Sequence, residues 1–101
     1  MTFQEMQKGV LAVADTYGKH FGITMDQDFA LLKLYEEVGE YAQAVLIHRR
    51  KSKPEKFKSE EESKKLVAEE LADIICLAIM NAELFGIDLE KAIQEKWIDR
   101  V

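Results

Sequence analysis

Apolar residues recur along the chain at three- and four-residue spacing, the period of helices with one buried face. The first run, Phe3, Met6, Val10, Val13, Ala14 and Tyr17, follows Thr2, and Thr2 with Glu5 has the spacing of a capping box. A helix is expected from Thr2 to near Gly18. The stretch from Tyr17 to Asp26, with Gly18 and Gly22, reads as a connection in which Thr24 or Asp26 is suited to cap the next helix. A second helix is expected from about Gln27 into a basic cluster, ending before Pro54, since the residue preceding a proline is pushed out of helical geometry. Its expected core stripe is Leu31, Leu34, Tyr35, Val38, Ala42 and Val45, with Tyr41 and Leu46 at the margins. Gly39 costs about 1 kcal/mol against alanine in a helix interior, which suggests close approach there by another helix or a ligand.

Residues 52–59 form a polar linker with one apolar tether, Phe57, and mobility is expected there. Ser59 with Glu62 repeats the capping-box spacing and opens a third helix that should run to Phe85 and close at Gly86. Asp88 is placed to cap a short fourth helix carrying Leu89, Ala92, Ile93 and Trp97. In the third helix Val67, Leu71, Ile74 and Ala78 share a face, and Glu70 projects between Val67 and Ile74 inside that stripe. An unpaired buried carboxylate costs several kcal/mol or takes up a proton, so a cation is implied. The run Ile74–Met80 is apolar on all sides, which suggests burial by other helices and by a second subunit.

The pattern therefore predicts an all-α fold: a bundle of about four helices, two of them long, central and antiparallel, completed by oligomerisation. At 101 residues one domain spanning 1–101 is expected, with a core thin enough that self-association is a reasonable consequence. A hydrophobic share of 48% with 33% charged residues and a single proline fits a compact helical chain. The net charge of -5 argues against a nucleic-acid surface. The basic run His48-Arg49-Arg50-Lys51, with Lys53, Lys56 and Lys58, reads as a solvated helix end and linker. Cys76 stands alone among apolar neighbours, excluding a disulfide framework or a thiolate zinc site. The N-terminus shows no secretory pattern and no apolar run is long enough for a bilayer, so a cytoplasmic protein without membrane partners is expected.

The chemistry lies in the acids. The second helix carries Glu36, Glu37 and Glu40, and the third carries Glu69, Glu70 and Asp73. Residues three apart share a helix face, so Glu37 with Glu40 and Glu70 with Asp73 are two pairs of oxygen donors that antiparallel helices would bring together. Taken alone, the first motif is more often a solvated face. Four crowded carboxylates need a cation, and an oxygen-only set suits Mg2+, with Mn2+ as a substitute. Neither His20 nor His48 lies three residues after a glutamate, which removes the Glu-x-x-His signature of di-iron bundles.

At these residues the chain resembles the MazG-like family of all-α nucleoside triphosphate pyrophosphohydrolases. Lys33-Leu34-Tyr35-Glu36-Glu37-Val38-Gly39-Glu40 is similar to the family's first acidic motif, and Glu69-Glu70-Leu71-Ala72-Asp73 to its second. The similarity extends into Phe85–Ala92 and the region of Lys96. The resemblance implies Mg2+-dependent hydrolysis of a nucleoside or deoxynucleoside triphosphate to the monophosphate and pyrophosphate, in nucleotide-pool house-cleaning, by a homodimer or dimer of dimers. It further implies Glu37, Glu40, Glu70 and Asp73 as metal ligands, Glu36 as an outer acid or the base for the attacking water, and Lys33, Lys96 and Arg100 near the phosphates. A departure lies beyond Lys96: Asp99 and Arg100 stand where family members often carry asparagine and arginine.

The absence of a G-x-x-x-x-G-K-[ST] loop removes the backbone phosphate cradle, leaving the phosphates to metal and to Lys or Arg. Phe21, Phe29, Tyr41, Phe57 and Trp97 read as core aromatics, and none is assigned to the base. The competing reading is a non-catalytic helical interaction or regulatory module whose acids pair with a basic partner.

Overall fold

The computed structural model of the chain describes residues 1–100. Helix α1 spans Phe3–Phe21, α2 Gln27–His48, α3 Glu60–Leu84 and α4 Leu89–Ile93, with a 3-10 turn at Pro54–Lys56 and a π-helical turn at Gln94–Ile98. The described residues contain no strand. The fold is all-α, as expected.

The helix starts follow the side chains that cap them. Thr2 and Glu5 satisfy each other's backbone N–H groups at 3.1 Å, Asp26 accepts from Phe29 N–H at 2.8 Å, Ser59 from Glu62 N–H at 3.1 Å, and Asp88 from Lys91 N–H at 3.0 Å. Each removes one of the donors a helix leaves unpaired in its first turn. Helix α3 closes as expected, with Gly86 at φ 67. The first helix, however, runs three residues past Gly18. Its left-handed terminator is Gly22, at φ 65, because a glycine inside a helix only weakens it whereas positive φ ends it. Gly18 serves the tertiary structure: it is buried, and a Cβ there would lie 3.0 Å from the Ile23 carbonyl and 3.2 Å from Met25 Cγ. The linker holds the 3-10 turn and a cation–π contact, with the Arg50 guanidinium 5.1 Å from the centre of the Phe57 ring.

Helices α2 and α3 form the central antiparallel pair. Gln27 Nε2 donates to the Leu84 carbonyl at 3.4 Å, Asn81 Nδ2 to the Ala30 carbonyl at 3.1 Å, and at the far end His48 Nδ1 lies 2.7 Å from Ser63 Oγ. Helix α1 packs on α3. The face of α2 turned to α3 differs from the expected stripe. Ala30, Glu37 and Ala44 are buried, with Leu34 and Tyr41 half-buried between them and His48 half-buried one turn beyond Ala44. Tyr35, Leu31 and Val38 instead point outward. Helix α2 is apolar on two flanks, and the small residues Ala30 and Ala44 permit the close approach while the bulky flank is left uncovered in the single chain. Gly39 likewise has nothing within 4 Å of a built Cβ, so no neighbour within the chain approaches it. In α3 Ile79 is buried, but Ile75 and Leu71 are exposed, so Ile74–Met80 is only partly covered. Residues 90–100 are exposed throughout. Phe21 and Trp97, expected in the core, are also exposed. No helix among the described residues is long and apolar enough to cross a membrane.

Candidate metal centre

The small residues that bring α2 against α3 also set where their acids meet. Ala30 and Ala44 lie seven residues, two helical turns, before and after Glu37. Glu37 is therefore held at the middle of the contact and is buried, 8% exposed. Glu40 comes one turn later, and α3 presents Glu70 and Asp73 across the gap. One carboxylate oxygen from each of Glu37, Glu40, Glu70 and Asp73 lies within 4.8 Å of the others. Glu70 is half-buried, while Glu40 and Asp73 face solvent, so the group is walled on one side and open on the other.

The electrostatics result from that placement. Burial, followed by the hydrogen bond and charge of Glu40 and then the charges of Asp73 and Glu70, pushes the Glu37 carboxyl up to about 7. Glu70 is raised as well, first by burial and then by the charges of Glu40 and Asp73. Glu37 Oε2 and Glu70 Oε2 are both buried without a hydrogen-bond partner. Orphaned buried oxygens of this kind are costly, and a cation is the partner an all-carboxylate set takes. The set offers oxygen alone, which fits a hard divalent ion and not one that prefers nitrogen or sulfur.

The remaining candidates divide. Lys33 Nζ is 2.6 Å from Glu36 Oε1, a pairing that raises the lysine pKa chiefly through its hydrogen bond. Glu36 is exposed and stands outside the group of four. Lys33, Glu37 and Asp73 all line a cleft of about 670 Å3 between α1 and the α2–α3 pair. Lys96 and Arg100 do not line it; both sit on the exposed C-terminal segment. Cys76 lines the cleft as a half-buried thiol whose pKa is raised by burial and by Asp73. Sequence reasoning missed the cleft, because it is assembled from three helices and no one helix carries its signature. Phe29 proves to be one of its lining residues.

The profile of the MazG nucleotide pyrophosphohydrolase domain matches residues 26–101. Comparison with curated proteins and with solved structures returns no match. The match contains all six acids of the two motifs, and the chain belongs to the MazG nucleotide pyrophosphohydrolase family.

Proposed function

We propose that this protein hydrolyses a nucleoside or deoxynucleoside triphosphate to the monophosphate and pyrophosphate, using Mg2+ or, in its place, Mn2+. The observation that carries the reading is the convergence of Glu37, Glu40, Glu70 and Asp73 with two buried oxygens left unpartnered. These four residues would hold the ion. It would supply charge neutralisation for the triphosphate and acidify the attacking water.

The chain's own groups do the rest. Asp73 and Glu40, open to solvent, face the side from which a polyphosphate would enter. Lys33 borders the same cleft, where its ammonium would meet a phosphate oxygen and offset charge developing on it. Glu36 holds that ammonium at 2.6 Å, and its proposed part as base for the water requires it to release Lys33 when the phosphates arrive. Lys96 and Arg100 would join the phosphates only by movement of the exposed C-terminal segment or from a second copy of the chain. We propose one domain over residues 1–101, because α1 packs on α3 and lines the cleft with Glu37 and Asp73. A homodimer or dimer of dimers, working in the cytoplasm in nucleotide-pool control, completes the proposal.

The test is incubation of the purified protein with each of the common ribo- and deoxyribonucleoside triphosphates and Mg2+, separating the products. Monophosphate and pyrophosphate in equal amounts are expected. No turnover of any triphosphate by folded protein would overturn the enzyme reading in favour of a non-catalytic interaction module.

A further inference from the structure

The loop that joins α2 to α3 concentrates positive charge in an acidic chain. Residues 49–58 hold six of the 14 lysines and arginines, Arg49, Arg50, Lys51, Lys53, Lys56 and Lys58, and only one of the 19 acids, Glu55. All six are exposed, and among the described residues none of them makes an ion pair. The loop is nevertheless braced. Lys56 N–H donates to the Lys53 carbonyl at 2.9 Å and Phe57 N–H to the Pro54 carbonyl at 3.0 Å, while the 2.7 Å contact of His48 with Ser63 ties together the two helix ends on which the loop stands. Phe57 is half-buried, and the Arg50 guanidinium over its ring closes the loop at its neck. The cations thus stand on a folded loop, not on a free tail.

Arg50 stands out by its backbone. Helices α1 and α3 end on a left-handed glycine, Gly22 or Gly86, and the next N–H turns back to the helix: Ile23 donates to the Gly18 carbonyl and Ile87 to the Ala82 carbonyl, each at 2.9 Å. Helix α2 closes by the same pattern, with Lys51 N–H donating to the Leu46 carbonyl at 2.8 Å. Its left-handed position, however, is filled by Arg50, at φ 55 the one non-glycine residue with positive φ among the described residues. Glycine takes that conformation without strain and arginine does not. What arginine adds there is a guanidinium, and strained residues of this kind gather at ligand clamps. Its five N–H donors lie in one plane, in a fork matched to phosphate oxygens, and contact with a ring leaves them unused.

The surroundings limit the size of the anion. Glu60, Glu61 and Glu62 follow the loop directly, exposed in the first turn of α3. An extended nucleic acid running past the loop would meet these acids, whereas a compact anion would not. Helix α2 ends eight residues past Glu40, about 12 Å along its axis. The loop is therefore separate from the acid cluster, which repels anions when it holds no metal.

We propose that the α2–α3 loop is an anion site of its own, in which the Arg50 fork, set by Phe57, and the lysines around it take a compact polyphosphate, either pyrophosphate or the phosphate tail of a nucleoside triphosphate. It holds such an anion without divalent metal and does not depend on the hydrolysis proposed above.

The test uses the full chain freed of divalent metal on a chelating resin, titrated by calorimetry at low salt with pyrophosphate and, separately, with ATP. Saturable binding of one anion per chain is expected for both, and the tighter of the two identifies the source that the loop favours. Glu70→Gln should bind no more weakly than wild type, since the acid cluster takes no part. Arg50→Gly should melt no lower than wild type by circular dichroism, because glycine adopts φ 55 freely. It should nevertheless bind about tenfold or more weakly, the effect of losing at least one charge-assisted hydrogen bond. Arg50→Lys, which keeps the charge and loses the fork, should bind several-fold more weakly. Absence of saturable binding of either anion by the folded wild type overturns the inference, as does wild-type affinity in both Arg50 variants. A single-stranded oligodeoxynucleotide bound more tightly than pyrophosphate, with the same dependence on Arg50, overturns it in favour of a nucleic-acid surface. Failure of turnover with Mg2+, by contrast, removes the proposed function and leaves this site standing.

Discussion

Glu37→Gln separates the stability of the apo protein from its affinity for a metal. The wild-type carboxyl is shifted from an ordinary value of 4.5 to about 7, so between those pH values the native state binds more protons than the unfolded state. Stability attributable to Glu37 therefore falls as pH rises through that window and levels off above about 7. At 1.36 kcal/mol per pH unit the full effect is at most about 3.4 kcal/mol. Glu40 and Asp73 are open to solvent and salt, which screens their share of the repulsion and leaves about 1–2 kcal/mol. Glutamine keeps the volume and the hydrogen-bonding capacity but cannot ionise. In EDTA at pH 8 and fixed protein concentration, Glu37→Gln should melt above wild type by roughly 5–15 °C, at 4–8 °C per kcal/mol for a chain of this size. The gap should close toward pH 4.5. Saturating Mg2+ should reverse the order, since an ion at 100 times its Kd stabilises the wild type by about 2.7 kcal/mol and finds a broken site in the variant. Circular dichroism melts across pH 4.5–8, with and without Mg2+, read both effects. A variant melting below wild type in EDTA at pH 8, or a gap independent of pH, would refute the reasoning.

Glu70→Gln should lose turnover and its Mg2+-dependent melting shift while keeping its circular dichroism spectrum, because Glu70 Oε2 is the second orphaned oxygen; retained turnover would remove it from the metal site. Gly18→Ala should be destabilising by up to about 2 kcal/mol, since the Cβ contacts at 3.0 and 3.2 Å outweigh the helix-propensity gain. Gly9→Ala, with nothing within 4 Å, should gain about 0.5–1 kcal/mol, and equal shifts in urea unfolding would contradict the contact. Asn81→Ala, which removes hydrogen bonds to the carbonyls of Ala30 at 3.1 Å and Leu77 at 2.8 Å, should lower stability by about 1 kcal/mol, read in the same unfolding experiment.

The capping residues made the helix starts legible. Thr2, Asp26, Ser59 and Asp88 each act within one turn, so local sequence decides them. The acid cluster was legible because two local spacings, Glu37/Glu40 and Glu70/Asp73, needed only an antiparallel partner. Which flank of α2 would meet α3 was not legible: Leu31, Tyr35 and Val38 make the more apolar face, yet the face with Ala30 and Ala44 lies against α3. Closeness of two backbones is a property of the pair, and side-chain hydrophobicity on one helix does not report it. The end of α1 was misplaced for a related reason, since Gly18 and Gly22 look alike in sequence and differ in φ, one helical and the other at 65.

The uncovered flank of α2 has a consequence for solution behaviour. Within the described chain the fully buried apolar residues are few and mostly small, Ala30, Ala44, Ile79 and Ala82. The radius of gyration is 15.9 Å, against about 13 Å for a compact chain of 100 residues. Leu31, Tyr35 and Val38, at 48%, 70% and 45% exposed, form one stripe on α2, and Leu71 and Ile75 are exposed on α3. Fully burying a side chain of this size contributes about 1.5–3 kcal/mol, so covering the stripe is worth several such contributions. A second copy of the same chain supplies a matching apolar stripe through a two-fold axis, where each surface meets its own equivalent. The wild type should therefore sediment as a dimer or tetramer at micromolar concentration. Val38→Glu, which puts a charge in the middle of the stripe, should shift it to monomer and lower its melting temperature. A wild type that is monomeric and stable at that concentration would mean that α2 tolerates its apolar flank in water, and the self-association argument would fail.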